Sequence, residues 1–379
     1  MPMNQPQPLV SVRSLNALVG FALVGAAFSI FFQKSPGGCG DYPQNFQVLY
    51  QGMGLGAGLG LIFLFLYSKI PHAFAVQSLL VTIIRYFLAS IILSYGFAKV
   101  FASQFPHLMA NMDARFIELS PMRVAWSFFG YSRGYQIFLG WGEVIPAVLL
   151  LFRRTSLLGA LIMFVVMLNV FLVNIFFDVC VKLNSGIYTV LSVYLLMQEF
   201  TRLWNFFIAN RITGPRPEIV VERPKWLKIS SMVLNFGALA YILWTAGQGA
   251  FGTYKYASTH VANTPVQGPW KTVSLYEWKN DTWTPKQRTD SLFADRLFFD
   301  GFNGVIRSDF VRDRFRFTLD SAKQQLTVNF TNSRNEWNIA PVTWKYNRVS
   351  PDSLNLLLKW KRDSLKVNCV IRKETLTRY

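Results

Sequence analysis

Six polar side chains interrupt stretches that are otherwise apolar: Arg85 and Lys99 in one, Glu143 in a second, and Asn169, Asn174 and Asp178 in a third, with Lys182 just beyond it. An ionisable group at membrane depth is costly unless it is paired, hydrated or close to the interface. These side chains are therefore expected to turn inward in a helix bundle. Asn174 and Asp178, four residues apart, share a helix face, and Lys99 lies about four turns beyond Arg85, toward the opposite end of the same helix. Glu143, Lys99, Asp178 and Lys182 are expected to meet as a polar cluster at the outer leaflet, beside an aromatic mouth of Tyr95, Phe97, Trp126, Tyr131, Tyr135 and Trp141. Three uses fit that pattern. The charges can simply fix helix packing and topology. They can line a cavity in which Lys99 or Arg85 hydrogen-bonds a quinone head group while Glu143 or Asp178 moves protons. Or their long side chains can reach separately for the interface. Redox chemistry would also need an electron donor, which no residue pattern identifies.

Cys39, within Gly37-Gly38-Cys39-Gly40, and Cys180 fall on the same predicted face and are a candidate disulfide if that face is oxidising. Isolated thiols fit equally well, since the chain has no Cys-x-x-Cys motif. Cys369 alternates with Leu365, Val367 and Ile371, the pattern of a buried strand thiol. His72, His107 and His260 are scattered, and without a Ser-His-acid array, metal-ligand cluster or haem motif no metal centre is expected. The formal charge of +18 comes without a phosphate loop, zinc-ligand spacing or helix-turn-helix, which argues against nucleic acid. Basic residues next to the apolar stretches are expected to meet anionic membrane lipid.

Those side chains need elements to hold them. Apolar residues make up 52% of the chain, and at least four stretches approach or exceed the ~20 residues that cross hydrocarbon, which excludes an ordinary globular enzyme. Seven spans are predicted, at 14–32, 48–66, 76–102, 135–152, 155–176, 186–206 and 229–245; the second is rich in glycine and the fourth contains Glu143 and Pro146. The first has no cleavage box and is read as a retained span. Arg13, Lys69, Arg153, Arg154, Arg202, Arg211, Arg216, Arg223, Lys225 and Lys228 then share one side, which the positive-inside rule makes cytoplasmic. A bacterial inner-membrane protein is expected, with a cytoplasmic amino terminus and residues 248–379 in the periplasm; six spans would move the tail inside. The connection at 103–134, where Phe105, Leu108, Met109, Phe116 and Ile117 alternate with His107, Asp113, Arg115 and Glu118, is expected to lie at the interface and cover the outer end of the bundle, or to act as a lid.

Within 83–203 runs an ordered series: Arg85-Tyr86-Phe87-Leu88-Ala89, Tyr95-Gly96-Phe97-Ala98-Lys99, Gly140-Trp141-Gly142-Glu143, Leu149-Leu150-Leu151-Phe152-Arg153-Arg154, and Leu168-Asn169-Val170 through Asn174-Ile175-Phe176-Phe177-Asp178-Val179-Cys180-Val181-Lys182. This series, about one third of the chain, resembles the DoxX-like membrane-protein family. The resemblance implies a four-helix core made by spans three to six and assigns a family-like pocket to Arg85, Lys99, Glu143 and Asp178. In some family members the domain is associated with sulfur-compound oxidation coupled to quinone. The chain departs from minimal relatives by two earlier spans, one later span and the tail. Its expected organisation is a two-span extension at 1–75, the DoxX-like core at 76–210, a basic connection with the seventh span at 211–247, and an exterior β domain at 248–379.

The tail follows a different pattern. After an extended linker at 254–269, candidate strands fall at 270–278, 292–299, 314–319, 326–330, 342–347, 354–360 and 365–371. Phe315, Phe317 and Leu319 alternate with Arg314, Arg316 and Thr318, and Leu326, Val328 and Phe330 with Thr327 and Asn329. The fold class expected for the whole is a polytopic α-helical membrane protein with a C-terminal antiparallel β-barrel or sandwich. Gly268-Pro269-Trp270 and Trp360 make the tail similar to a lipocalin-type barrel, whose interior can hold an apolar ligand or be filled by its own aromatic residues. Arg296, Arg307, Arg312, Arg314 and Arg316 are candidates for recruiting an acidic protein or a lipid head group, or form a plain solvated face. Two functions remain open. One is a quinone-binding membrane subunit that supports redox or proton transfer at the outer leaflet. The other is a non-enzymatic structural or assembly subunit of a larger cell-envelope complex, partnered by other membrane proteins.

Overall fold

The computed structural model describes residues 12–34, 39–67, 74–105, 109–212, 225–256, 264–290, 293–308, 312–330, 340–360 and 363–372. His72, His107, His260, Lys69, Arg216 and Arg223 lie outside the described residues. Two compact units divide the chain: Met1–Phe105 with Ser120–Phe251, and Pro106–Leu119 with Gly252–Tyr379. The segment 106–119, which the sequence pattern kept within the four-span region, belongs to the second unit.

The helices in chain order are α1 Val12–Ser29, α2 Pro43–Leu66, α3 Phe74–Val100, α4 Met109–Met112, α5 Pro121–Tyr131, α6 Arg133–Leu151, α7 Ser156–Phe176, α8 Lys182–Met197, α9 Phe200–Phe207 and α10 Lys225–Tyr256. Among the described residues, five stretches are long and apolar enough to cross a membrane: Leu15–Phe32, Pro43–Leu66, Val76–Val100, Arg133–Leu151 and Ser156–Phe176. The glycines of α2 serve its packing. Gly52, Gly56 and Gly60, at four-residue spacing, face α1, and a Cβ on Gly52 or Gly56 would overlap the backbone carbonyls of Gly25 or Phe21. Small residues on one stripe let two helix backbones approach closely where lipid supplies no hydrophobic drive. Pro146, buried inside α6, does not end that helix.

The expected sixth span at 186–206 is two helices, broken at Gln198 and Glu199. Both residues have polar partners there: Gln77 Nε2 donates to Gln198 Oε1 at 2.9 Å, and Glu199 accepts from Arg202 at 3.1 Å. With 16 residues α8 is short, yet it runs from one end of the bundle to the other. Its first turn is held at the α1–α2 connection, where Leu183 N donates to Asp41 Oδ1 at 2.9 Å, and near its far end Tyr194 donates to Asn16 O at the start of α1 at 3.2 Å. The linker expected to be extended from 254 begins as helix, because α10 continues to Tyr256. Fully buried Ile84, Leu88, Ala89, Leu93, Ala147, Leu150, Met163 and Leu191 form the centre of the bundle, whereas Leu55, Phe65, Phe138, Val165 and Phe176 are exposed around it. An apolar exterior of this extent is what a surface facing hydrocarbon presents.

The second unit contains the strands β1 Gly268–Lys279, β2 Thr282–Pro285, β3 Arg296–Asp300, β4 Asn303–Arg307, β5 Arg312–Asp320, β6 Gln325–Phe330, β7 Val342–Ser350, β8 Ser353–Trp360 and β9 Asp363–Ile371. Neighbours from β3 to β9 pair antiparallel in sequence order, and β1 pairs with both β3 and β9, which closes a ring of eight strands. Strand β2 pairs with β1 outside that ring, after a reversal at Asn280 and Asp281, both at positive φ. The tail is thus a closed barrel, not a sandwich. Alternation missed β2 and β4, which have four and five residues. In β4, Gly304 lies opposite both Phe299 and Phe315, and a Cβ there would overlap the Phe315 ring. A bulge between Thr272 and Ser274 shifts the parity of β1: Trp270 and Thr272 are buried before it, Leu275 and Glu277 after it, and Val273 is turned out.

Aromatic side chains fill the barrel. Phe315 packs against Phe299, Phe330 and Trp344 with ring centroids 5.6, 5.8 and 4.9 Å away. The indole N–H groups of buried Trp270, Trp344 and Trp360 donate to Val266 O, Lys359 O and Asp313 Oδ2 at 2.8, 2.9 and 2.7 Å, so none of these three carries an orphaned donor into the core. Cys369 is the buried strand thiol that its alternation implied, and burial pushes its thiol up to about 12.

Candidate functional site

Helices α3 and α6 run antiparallel and touch at two glycines. A Cβ on Gly96 would lie 2.7 Å from Val144 Cγ2, and one on Gly140 would lie 2.7 Å from Gly96 O. One turn beyond each glycine stand Lys99 and Glu143. The close approach lets the Lys99 ammonium donate to both oxygens of Glu143, at 2.8 and 2.7 Å, with the side chains only 7% and 5% exposed. Nζ also lies 6.0 and 5.9 Å from the ring centroids of Tyr95 and Phe105, within range of cation–π attraction. Phe105 is held between Trp126 and Phe129 of α5, with centroids at 5.1 and 5.3 Å. Tyr95 lies beside Tyr188 of α8, with ring centroids 6.4 Å apart, and is 39% exposed, the most open side of the site.

This geometry limits the chemistry. To accept a proton, Glu143 would first have to release Lys99, and separating a buried pair leaves a desolvated charge without a partner. As it stands, the pair binds its own members.

The remaining predicted residues lie elsewhere. Arg85 donates through Nε and Nη2 to Leu150 O at 2.8 and 2.6 Å; it caps the last turn of α6, where carbonyls lack helical partners and a cation complements the dipole. Leu150 is seven residues along α6 from Glu143. Asp178 and Lys182 pair with each other at 2.7 Å at the exposed α7–α8 connection, and Lys182 also faces Asp41 at 3.7 Å. Asn174 is buried and Asn169 exposed. The four residues expected to meet as one cluster are therefore paired separately, Lys99 with Glu143 and Lys182 with Asp178, and Arg85 caps a helix end. Of the aromatic mouth, Tyr95 adjoins the buried pair, Trp126 packs on Phe105, Phe97 packs on Phe101, and Tyr131, Tyr135 and Trp141 are exposed. Sequence reasoning did not single out Tyr188, and it read Phe105 only as part of the outer connection. The available signal was the equal spacing of Gly96 to Lys99 and Gly140 to Glu143, which points to a close crossing with two charges on it.

A second polar constellation lies on the barrel unit. Met109 and Ala110 pack on Phe298 and Val305, side chains of β3 and β4 that face away from the barrel core. Just beyond, the Asp113 carboxylate is 8% exposed and accepts from Arg296 at 2.6 Å, from Arg307 at 3.4 Å and from Arg372. Arg307 also donates to Asp113 O and, at 3.0 Å, to Glu118, while Arg312 reaches Ala110 O at 3.2 Å and Asn111 Oδ1 at 3.3 Å. Three of the five arginines expected to recruit an acidic partner are thus engaged by the chain's own segment 109–119, a strap across the barrel wall.

Asp300 completes the strap by accepting from Met109 N at 2.6 Å. Burial pushes its carboxyl up to about 6, against the lowering effect of the Met109 and Ala110 amides. A carboxyl whose folded value lies above its ordinary one binds more protons in the folded state, so stability falls as pH rises between the two. The barrel is expected to lose up to about 3 kcal/mol from this group between about pH 4 and 6, and Asp300→Asn should flatten that slope. Urea unfolding of the full chain followed by tryptophan fluorescence, at several pH values, measures the difference.

No protein-family model matches the chain, and no solved structure matches it. Over 133 residues it is 37% identical to "Uncharacterized protein YwoB" of Bacillus subtilis (strain 168), an alignment that covers 85% of YwoB and 35% of this chain. The chain belongs to the same family as YwoB. Because the alignment takes up nearly all of YwoB, most of the present chain has no counterpart there. YwoB brings a family but no activity.

Proposed function

We propose that the chain is a non-enzymatic membrane subunit whose helical bundle anchors an exterior β-barrel within a larger envelope assembly. One observation carries this reading: both places where a ligand was expected are occupied by the protein's own side chains. Lys99 and Glu143 neutralise each other, and Phe299, Phe315, Phe330 and Trp344 fill the barrel. On this reading residues 83–203 are a DoxX-like core kept for anchoring. The tail is lipocalin-type in architecture, an up-and-down ring of eight strands entered at Gly268-Pro269-Trp270.

The strap bears on orientation. It folds with the barrel and follows α1, α2 and α3; if each of these three crosses, the amino terminus and the barrel lie on opposite sides of the membrane. Between strap and barrel the number of crossings must be even. Helices α6 and α7 supply two, and α8 and α10 then cross together or not at all; the end-to-end run of α8 favours seven spans. Arg153 and Arg154, between α6 and α7, share the side of the amino terminus, which the positive-inside rule makes cytoplasmic. The barrel is then periplasmic in a bacterial inner membrane.

The partly open ring of Tyr95 favours a second reading, in which a quinone rests against Tyr95 and takes a hydrogen bond from it or from the remaining Lys99 N–H. Purification in native lipid particles, with counting of bound proteins and small molecules, separates the two. The anchoring reading expects stoichiometric protein partners and quinone no richer than in the surrounding lipid. One quinone per chain, lost in a folded Lys99→Met/Glu143→Leu variant, would overturn it in favour of the second.

A further inference from the structure

Two thiols have no part in either reading. Cys39 and Cys180, 141 residues apart, are brought together at one end of the bundle, where the Cys39 thiol donates to Cys180 O at 3.4 Å. The approach does not depend on sulfur. Gly40 N and Asp41 N donate to Cys180 O at 2.7 and 3.2 Å, and the Asp41 carboxylate accepts from Lys182 N and Leu183 N at 3.0 and 2.9 Å. Asn45 braces the same connection by donating to Gly40 O at 2.7 Å and Lys34 O at 2.8 Å. Both cysteines are free and partly accessible.

We propose that Cys39 and Cys180 are an exchange pair that closes to an intramolecular disulfide, fastening the α1–α2 connection to the α7–α8 connection. The oxidant is an external disulfide of the glutathione or thiol–disulfide oxidoreductase class. Cys39, as thiolate, attacks one of its sulfurs, so that the external S–S bond breaks and one thiolate leaves. Cys180 then loses its proton and attacks Cys39 Sγ, which releases the second external thiolate. The pair gives up two electrons and two protons, and the external disulfide becomes two thiols. Burial, the neighbouring Cys39 and Asp41 push the Cys180 thiol up to about 11. Only the cellular source of oxidant rests on the periplasmic orientation proposed above.

Purified full-length chain is incubated with oxidised glutathione, denatured, and its thiols counted by the mass added with a polyethylene glycol maleimide. One adduct, on Cys369, rising to three after reduction is the expected result. Cys39→Ser should show two thiols in the reduced state and no internal disulfide. Three adducts after oxidised glutathione, stable glutathione adducts without ring closure, or disulfide-linked dimers would each overturn the proposal. The same count on chain acid-trapped from cells addresses orientation alone. One adduct before reduction agrees with an oxidising compartment, and three adducts from cells together with one after glutathione would leave the pair standing while contradicting the periplasmic assignment.

Discussion

Asp113→Ala is expected to cost the barrel unit about 3–5 kcal/mol, the usual penalty for removing one partner from a buried charge network, and to release the strap. Three arginines converge on this carboxylate, and Arg307, itself 7% exposed, has little access to water as a replacement. The apolar part of the strap contact, Met109 and Ala110 on Phe298 and Val305, is too small to hold the segment against that loss. Limited proteolysis should cut at 109–119 in the variant and not in the native chain, and the fluorescence transition should move to lower urea. Arg115→Ala, at a side chain 73% exposed, should change stability by less than about 0.5 kcal/mol. Equal protease resistance in the Asp113 variant and the native chain would show that the strap is held by something other than these charges.

The second large effect is non-additive. Lys99→Met or Glu143→Leu alone leaves an uncompensated charge inside the bundle and is expected to cost about 3–5 kcal/mol, whereas the double variant, with apolar side chains of similar volume, should lie near the native protein or above it. Thermal unfolding in detergent provides the four corners of the cycle. If the two losses simply add, Lys99 and Glu143 do not act as a pair and are not a closed packing device.

Much of this architecture was legible, for identifiable reasons. Long apolar runs announced α1, α2, α3, α6 and α7 because hydrocarbon thickness dictates their length. Period-two alternation announced β5 and β6 because one face of each strand is buried. Strand β4 was hidden because Asn303 and Gly304 break that pattern, and Gly304 is there to admit the Phe315 ring, a requirement visible only once the strands are paired. Helices α8 and α9 merged in the sequence because apolar residues continue across Gln198 and Glu199, whose polar partners come from Gln77 and Arg202. At the site, the sequence supplied Lys99 and Glu143, but depth alone could not separate them from Arg85. All three are buried cations or anions on apolar helices, and what distinguishes Arg85 is the helix end it reaches. The strap was read as an interfacial helix because its apolar residues are interspersed with charges. That pattern serves equally to cover two apolar side chains on a barrel and to thread a carboxylate among arginines.

The proposed topology puts the strap and barrel together on one side of the membrane and the amino terminus on the other. In a chain with Cys39→Ser and Cys180→Ser, single cysteines at Asn4→Cys, Arg115→Cys and Lys323→Cys can be probed with a membrane-impermeant maleimide on sealed spheroplasts. Arg115 and Lys323 are 73% and 72% exposed, and Cys369 is buried. Labelling of the Arg115 and Lys323 variants from outside, with the Asn4 variant reacting only after lysis, is the expected result. Opposite behaviour of the Arg115 and Lys323 variants, or outside labelling of all three, would contradict it.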